Sequence, residues 1–421
     1  MDCAKLKADI ERLREVRNAF DGTVASANDT GLGKIKCNEA MKRTSELEDE
    51  ILQAYMEDVK EHNPELFRSF HYGEKIDGFE GWISSTMKLS DSEVLVCGRG
   101  YQRGATRILR KGEDGSWNYD SNNIDSLDET VRSTLRLSDS EVLVCGGTYR
   151  RGETCILRKG EDGLWSCIDG KIDGFHEEIL STMKLSDSEV LVCGYDGETR
   201  ILRKGGDGLW GYIDNKIDGF VGEIRSTMKL SDSEVLVCGA DGGRSETRIL
   251  RKSEDGLWGY VDDQIERSPF YWQIYSTMKL SDDEVLVCGG RGERGTTTRI
   301  LRKAEDGFWD YDSDSIDGFD DVIHSTLKLS DNEVLVCGGR DERGEMHILR
   351  KGEDGLWGYI DDKIDDFDER IFSTVKLPDN EVLVCSENGE TCILYIDRDI
   401  DLDRLKQKLP DIAAKKDEAA V

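Results

Sequence analysis

The chain has 421 residues, 37% of them hydrophobic and 34% charged, with a formal net charge of −31. That apolar content supports a folded chain, whereas the negative balance opposes non-specific nucleic-acid binding, which needs a basic footprint. No apolar run reaches the roughly 18 residues of a membrane helix, and Met1-Asp2-Cys3-Ala4-Lys5 lacks a signal-peptide core, so a cytoplasmic, reducing setting without membrane partners is expected.

From the N-terminus, Leu6, Ile10, Leu13, Val16 and Phe20 recur at helical spacing. A breaker-rich stretch at 21–33 comes next, and then Met41, Leu47, Ile51, Tyr55 and Val59 continue the period. This predicts an α-helical hairpin over residues 1–64 with one apolar stripe of coiled-coil character. Such a stripe suits docking on the rest of the chain, self-association or a partner helix.

The next 334 residues, 65–398, are a repeat. Val-Leu-Val-Cys ends at Cys97, Cys145, Cys193, Cys238, Cys288, Cys337 and Cys385, at spacings of 48, 48, 45, 50, 49 and 48. A Ser-Thr pair precedes each copy, its Thr always 11 residues before the Cys. Each unit reads as four short strands. In the fourth unit these are 226–230, the doubly apolar 235–238, 247–252 and 257–260, with an Asp-Gly turn at Asp255-Gly256 before the last. Four antiparallel strands with no helix between them predict a blade, and seven copies predict an all-β seven-bladed propeller. Trp comes after Asp-Gly in six units, at Trp117, Trp165, Trp210, Trp258, Trp309 and Trp357, but the seventh unit lacks this strand. Lys75-Ile76-Asp77-Gly78-Phe79 matches the segment just after the fourth strand in other units, such as Lys216-Ile217-Asp218-Gly219-Phe220. Residues 66–72 are therefore expected to supply the missing outer strand and close the ring. Residues 399–421 read as a charged tail.

The doublets Gly146-Gly147, Gly289-Gly290 and Gly338-Gly339, each succeeded about twenty residues later by Trp, resemble kelch repeats. The turn Ser253-Glu254-Asp255-Gly256-Leu257-Trp258 resembles the Asp-box of sialidases. The first resemblance implies a propeller. The second implies a sugar carboxylate held by three Arg, for which Arg107, Arg200, Arg248 and Arg299 occupy equivalent third-strand positions. Cys155, His347 and Cys392 fill that slot in the other blades.

Little in the sequence points to catalysis. The five His share no motif, and no nucleophile elbow, P-loop or dinucleotide fingerprint stands in a fitting context. The repeated Cys read as buried small hydrophobes, too far apart between blades for disulfides. Cys3, Cys37, Cys155, Cys167 and Cys392 show no zinc spacing, and the Asp310-Asp312-Asp314 series reads as a solvated acidic face. No metal, cofactor or enzymatic role is expected. Length variation does point somewhere. From the Cys to the Ile of the third strand the gap runs 11, 11, 8, 11, 12, 11 and 8, whereas Ile to Trp is always 9. The second-to-third loops share a face with the blade connections, so diversity concentrates on one face. These segments carry Trp82, Arg99, Tyr101, Arg103, Tyr149, Arg150, Arg151, Arg244, Phe270, Tyr271, Trp272, Arg291, Arg294, Arg340 and Arg343. Arg and aromatic side chains favour binding hot spots, and Arg pairs with carboxylate. The expected role is a scaffold that binds a protein or acidic peptide. A glycan- or anion-binding propeller, including a sialidase-like hydrolase, and an architectural oligomer are the alternatives.

Overall fold

In a computed structural model, residues 69–397 are described, apart from interruptions at 102, 122, 169, 214–215, 262–264, 266–269, 271–272, 293–294, 314, 320, 341–342, 353 and 361–363. The expected hairpin at 1–64 and tail at 399–421 lie outside the described residues. The chain divides into two units, residues 72–395 and the flanks 1–71 with 396–421, and the ring belongs to the first.

Seven antiparallel sheets form the ring. In blade 1, Trp82–Lys88, Glu93–Arg99, Gly104–Lys111 and Trp117–Tyr119 pair in chain order. Blades 2 to 6 repeat this over 130–168, 179–212, 223–261, 274–311 and 323–359. Blade 6 adds a short strand, Ile364–Phe367, beside its third. In blade 7, Ile371–Lys376, Glu381–Ser386 and Thr391–Asp397 are completed by Ser69–Lys75. Of the 66–72 expected to supply this strand, residues 66–68 lie outside the described residues, and the strand itself runs from Ser69 to Lys75.

The doubly apolar second strand is a consequence of radial sheets, each of whose faces meets another blade. In blade 1, Val94 and Val96 pack with Leu383 and Cys385 of blade 7, while Leu95 and Cys97 pack with Val142 and Val144 of blade 2. All seven Val-Leu-Val-Cys cysteines are fully buried. Burial pushes the thiols of Cys97, Cys145, Cys193, Cys238, Cys288 and Cys385 up to about 12, so they stay protonated and unreactive.

Three polar tiers join the blades. The first is the Ser-Thr pair. Neighbouring strand residues point to opposite sheet faces, so Ser reaches the next blade and Thr the previous one. Ser85–Thr134, Ser133–Thr182, Ser181–Thr227, Ser226–Thr277, Ser276–Thr326, Ser325–Thr374 and Ser373–Thr86 close a hydroxyl belt at 2.7 to 2.9 Å.

The second tier joins the fourth-strand Tyr to a third-strand Thr of the preceding blade, as in Tyr212–Thr154 at 2.7 Å and Tyr260–Thr199 at 2.9 Å. Gly219, at φ +134°, lies against this tyrosine; a Cβ there would meet Tyr260 at 2.9 Å. Blade 2 has Cys167 in place of the Tyr, and the Gly slot becomes Ser126. Its Oγ lies 2.7 Å from Thr106 Oγ1, replacing the phenol. In blade 7 the closing strand supplies Tyr72, which donates to Met346 Sδ at 3.9 Å.

The third tier explains Leu-Arg-Lys. In blades 1 to 5 the Glu opening the second strand takes the Arg of its own blade and the Lys of the next; in blade 7, where Tyr395 stands in the Arg slot, Glu381 takes Lys111 of blade 1. Glu141 accepts from Arg158 at 2.6 Å and Lys204 at 3.0 Å, and Glu189 from Arg203 at 2.6 Å and Lys252 at 3.3 Å. Each Lys also lies over the Trp of its blade, as Lys204 does over Trp210 at 5.7 Å.

One disulfide departs from the expectation of free thiols. Cys155 and Cys167 are bonded, with Cα atoms 6.3 Å apart. Leu157 is paired with Cys167, which puts Cys155 diagonally across from it on the same sheet face. The relevant distance is thus within one blade, not between blades.

Candidate binding face

The variable segments between second and third strands are largely extensions of the ladder. In blade 2, Glu141–Thr148 and Arg151–Lys159 leave only Tyr149 and Arg150 at the tip. In blade 4, Asp241 is paired with Arg244 around Gly242-Gly243, both at positive φ. In blade 3 the segment shrinks to a single turn, Tyr195–Gly197. In blades 2 and 4 the side chains at these tips stand on paired strands.

Blades 1 and 2 carry the clearest cluster of expected residues. Trp82 is 53% exposed, Tyr101 86% and Tyr149 61%, where large aromatics are ordinarily covered. Arg99 and Arg151 are exposed beside them. The Arg150 guanidinium lies over Tyr149 at 4.9 Å, and Arg103 pairs with Asp125 at 3.1 Å. Asp128 is held below the usual carboxylate range by Lys171 foremost, with Arg151 and Arg103 adding to the effect. Side chains from two blades therefore share one field.

The other expected residues separate. Arg244, Arg340 and Arg343 are exposed on blades 4 and 6, the last two opposite each other in register. Arg291 lies in the strand Glu284–Gly292. Tyr271, Trp272 and Arg294 lie outside the described residues. Phe270 is a correction: it is 3% exposed and packs in the wedge between blades 4 and 5, edge-on to Tyr311 at 5.7 Å. It fills the slot of Phe79, Phe175, Phe220, Phe319 and Phe367, each, like Phe270, four residues before the first-strand Ile. That spacing was readable in the sequence.

The third-strand arginines do not converge. Arg107 donates to the carbonyls of Gly78 and Asp120, Arg200 to Glu198 at 2.7 Å, Arg248 to Glu246, and Arg299 to the carbonyls of Asp312 and Ser313 at 3.0 and 2.9 Å. Each is held within or beside its own blade. Among the described residues, no group of three or more His, Cys, Asp or Glu is placed to hold a metal ion.

A further cluster was missed. The residue before each Ser-Thr pair sits at a β-bulge of the first strand, on the inner wall of the ring near the variable face. It is Ser84, Arg132 and Leu180 in blades 1 to 3, then Arg225, Tyr275, His324 and Phe372 in blades 4 to 7. The last four meet in series. Arg225 lies over Tyr275 at 5.5 Å, Tyr275 is edge-on to His324 at 5.0 Å, and His324 stacks on Phe372 at 4.3 Å. Reading the repeat slot by slot shows this series, because the slot loses its small and aliphatic residues after blade 3.

No protein-family model matches the chain, and no curated protein matches it. Among solved structures it is similar to the WD40 β-propeller domain of Doa1, at 13% identity and a TM-score of 0.56, covering 77% of this chain and 97% of that one. It is also similar to PpgL, the periplasmic gluconolactonase of Pseudomonas aeruginosa, at 11% identity and a TM-score of 0.52, covering 66% and 82%. These likenesses establish the propeller fold; the kelch-like and Asp-box-like features remain resemblances of sequence.

Proposed function

We propose that the chain is a non-enzymatic binding scaffold whose variable face, centred on blades 1 and 2, takes an acidic segment of a protein partner. The observation that carries this reading is the trio of exposed aromatics Trp82, Tyr101 and Tyr149 interleaved with Arg99, Arg150 and Arg151. Aromatic area binds by contact and the guanidiniums supply charge-assisted forks for carboxylates. The propeller itself does not decide the matter, since the fold serves a WD40 domain and a gluconolactonase alike.

The test is quantitative capture from matched cell lysate by the native protein and by a variant carrying Tyr101→Ser, Arg99→Ser, Arg150→Ser and Arg151→Ser, with folding of the variant checked by circular dichroism. A protein held by the first and lost by the second supports the reading. Equal capture by both, or none by either, refutes it.

A further inference from the structure

The series on blades 4 to 7 is bounded by two guanidiniums. Arg225 lies over Tyr275 at one end, and Arg370 lies over Phe372 at 5.9 Å at the other. Each is steadied by one carboxylate. Arg225 donates to Glu223 at 2.8 Å, which also accepts from Gln273 at 2.7 Å, and Arg370 pairs with Glu387 at 3.4 Å. One carboxylate leaves part of a five-donor fork unused.

Two buried nitrogens here lack any protein partner: Nε of Arg370 and Nε2 of His324. The Arg370 nitrogen is always a donor. Burial foremost, and then Arg370 and Arg225, push the His324 imidazole down to about 3, so the ring is neutral with one N–H. Burial foremost raises the Tyr275 phenol, with Arg225 and Arg370 both acting against it. A carboxylate brings acceptors only, and Arg forks and imidazole N–H groups suit it.

We propose that Arg225, Tyr275, His324, Phe372 and Arg370 form a carboxylate-binding site on the inner wall of the ring, which takes an acidic side chain of a peptide partner. This rests on the scaffold reading and deepens it, since the site lies toward the variable face but on blades other than those of the exposed aromatic cluster. The flat stack of His324 on Phe372 gives the bound group an apolar floor, and the guanidiniums fix its orientation.

The probe is acetylated hexaglutamate amide, with hexaglutamine amide as control, at about 0.15 M salt so that long-range repulsion from the acidic chain is screened. Calorimetry is run on the native protein, on Arg225→Gln/Arg370→Gln, and on the Tyr101/Arg99/Arg150/Arg151 variant of blades 1 and 2. His324 ring resonances, assigned by their loss in His324→Phe, are tracked by NMR. Native protein binds hexaglutamate and not hexaglutamine, and the His324 resonances move with saturation. The Arg225/Arg370 variant binds about tenfold or more weakly, and the blades 1 and 2 variant, whatever its affinity, still moves the His324 resonances at saturation. No hexaglutamate binding, equal binding of hexaglutamine, an unmoved His324 or an unaffected Arg225/Arg370 variant overturns the site. If that variant does not fold, the His324 response of native protein decides. Hexaglutamate binding lost only in the blades 1 and 2 variant overturns this site and leaves the scaffold reading standing. Failed lysate capture with hexaglutamate binding intact does the reverse.

Discussion

Between blades 4 and 5 one aromatic ring decides whether the wedge is filled. Phe270 is 3% exposed against Ile274, Val285 and Tyr311, whereas Tyr101 stands 86% exposed. Truncation in a packed site removes transfer free energy and leaves a cavity; truncation at an exposed tip does neither. Phe270→Ala is expected to cost about 3–5 kcal/mol and Tyr101→Ala less than about 0.5 kcal/mol, read by urea denaturation monitored through Trp fluorescence. Comparable losses in the two would show that the wedge relaxes around Phe270 or that Tyr101 is covered. The residue scale also shows how a repeat absorbs an exception. Blade 2 loses the Tyr that in blades 1 and 3 to 6 bonds a neighbouring Thr, and Ser126 takes its place at Thr106. A repeated slot can change without leaving a buried hydroxyl unpaired.

At the scale of the element, the blade was legible in the sequence because each strand repeats seven times in nearly fixed register. The doubly apolar Val-Leu-Val-Cys, the Asp-Gly turns and the missing seventh Trp led to the strand order and its closure. What the sequence did not show is which side chains meet across blades. The Ser-Thr pair was visible as a pattern, but its closed belt depends on the seventh blade meeting the first, at Ser373–Thr86. The inner-wall series is a contact among residues some fifty positions apart, such as Tyr275 and His324; comparing the copies slot by slot brings out its residue types, but not that they touch.

The Glu–Arg–Lys tier makes a prediction at this scale. Burial raises the carboxyls of Glu141, Glu189 and Glu284, but their Arg and Lys partners outweigh it, so all three lie below their ordinary value of 4.5. For a depressed carboxyl the stabilisation is fully present above the unfolded value and is lost as pH falls through the folded one. The melting temperature should therefore hold steady with respect to these groups above about pH 5 and fall once pH drops below 4.5. Replacing all three by Gln should make that acid decline shallower, at a cost near neutrality of roughly 1 kcal/mol per site, since the Arg partners are part-exposed. Differential scanning calorimetry from pH 7 to 3, a range spanning roughly both protonation states, reads this. An acid limb identical in the two proteins would assign acid sensitivity to other groups.

For the whole molecule, stability depends on a ring whose last sheet is built from both ends of the repeat. Ser69–Lys75 is the fourth strand of blade 7 and pairs with Thr391–Asp397, and Tyr72 reaches Met346 of blade 6. Without it, the backbone of Thr391–Asp397 would become a free sheet edge, and Ile393 and Leu394, now 3% and 0% exposed, would lose cover on the outer side. A chain begun at residue 65 retains that strand, and one begun at residue 76 does not. The first should keep the melting temperature of the ring. The second should lose about 3 kcal/mol or more, from the missing ladder bonds and the uncovered apolar surface, and should self-associate through the new edge. Thermal melts and size-exclusion chromatography with light scattering on the two chains test this directly. A shorter chain that stays monodisperse and melts with the longer one would mean that the seventh blade stands on three strands, and that closure contributes little to holding the ring together.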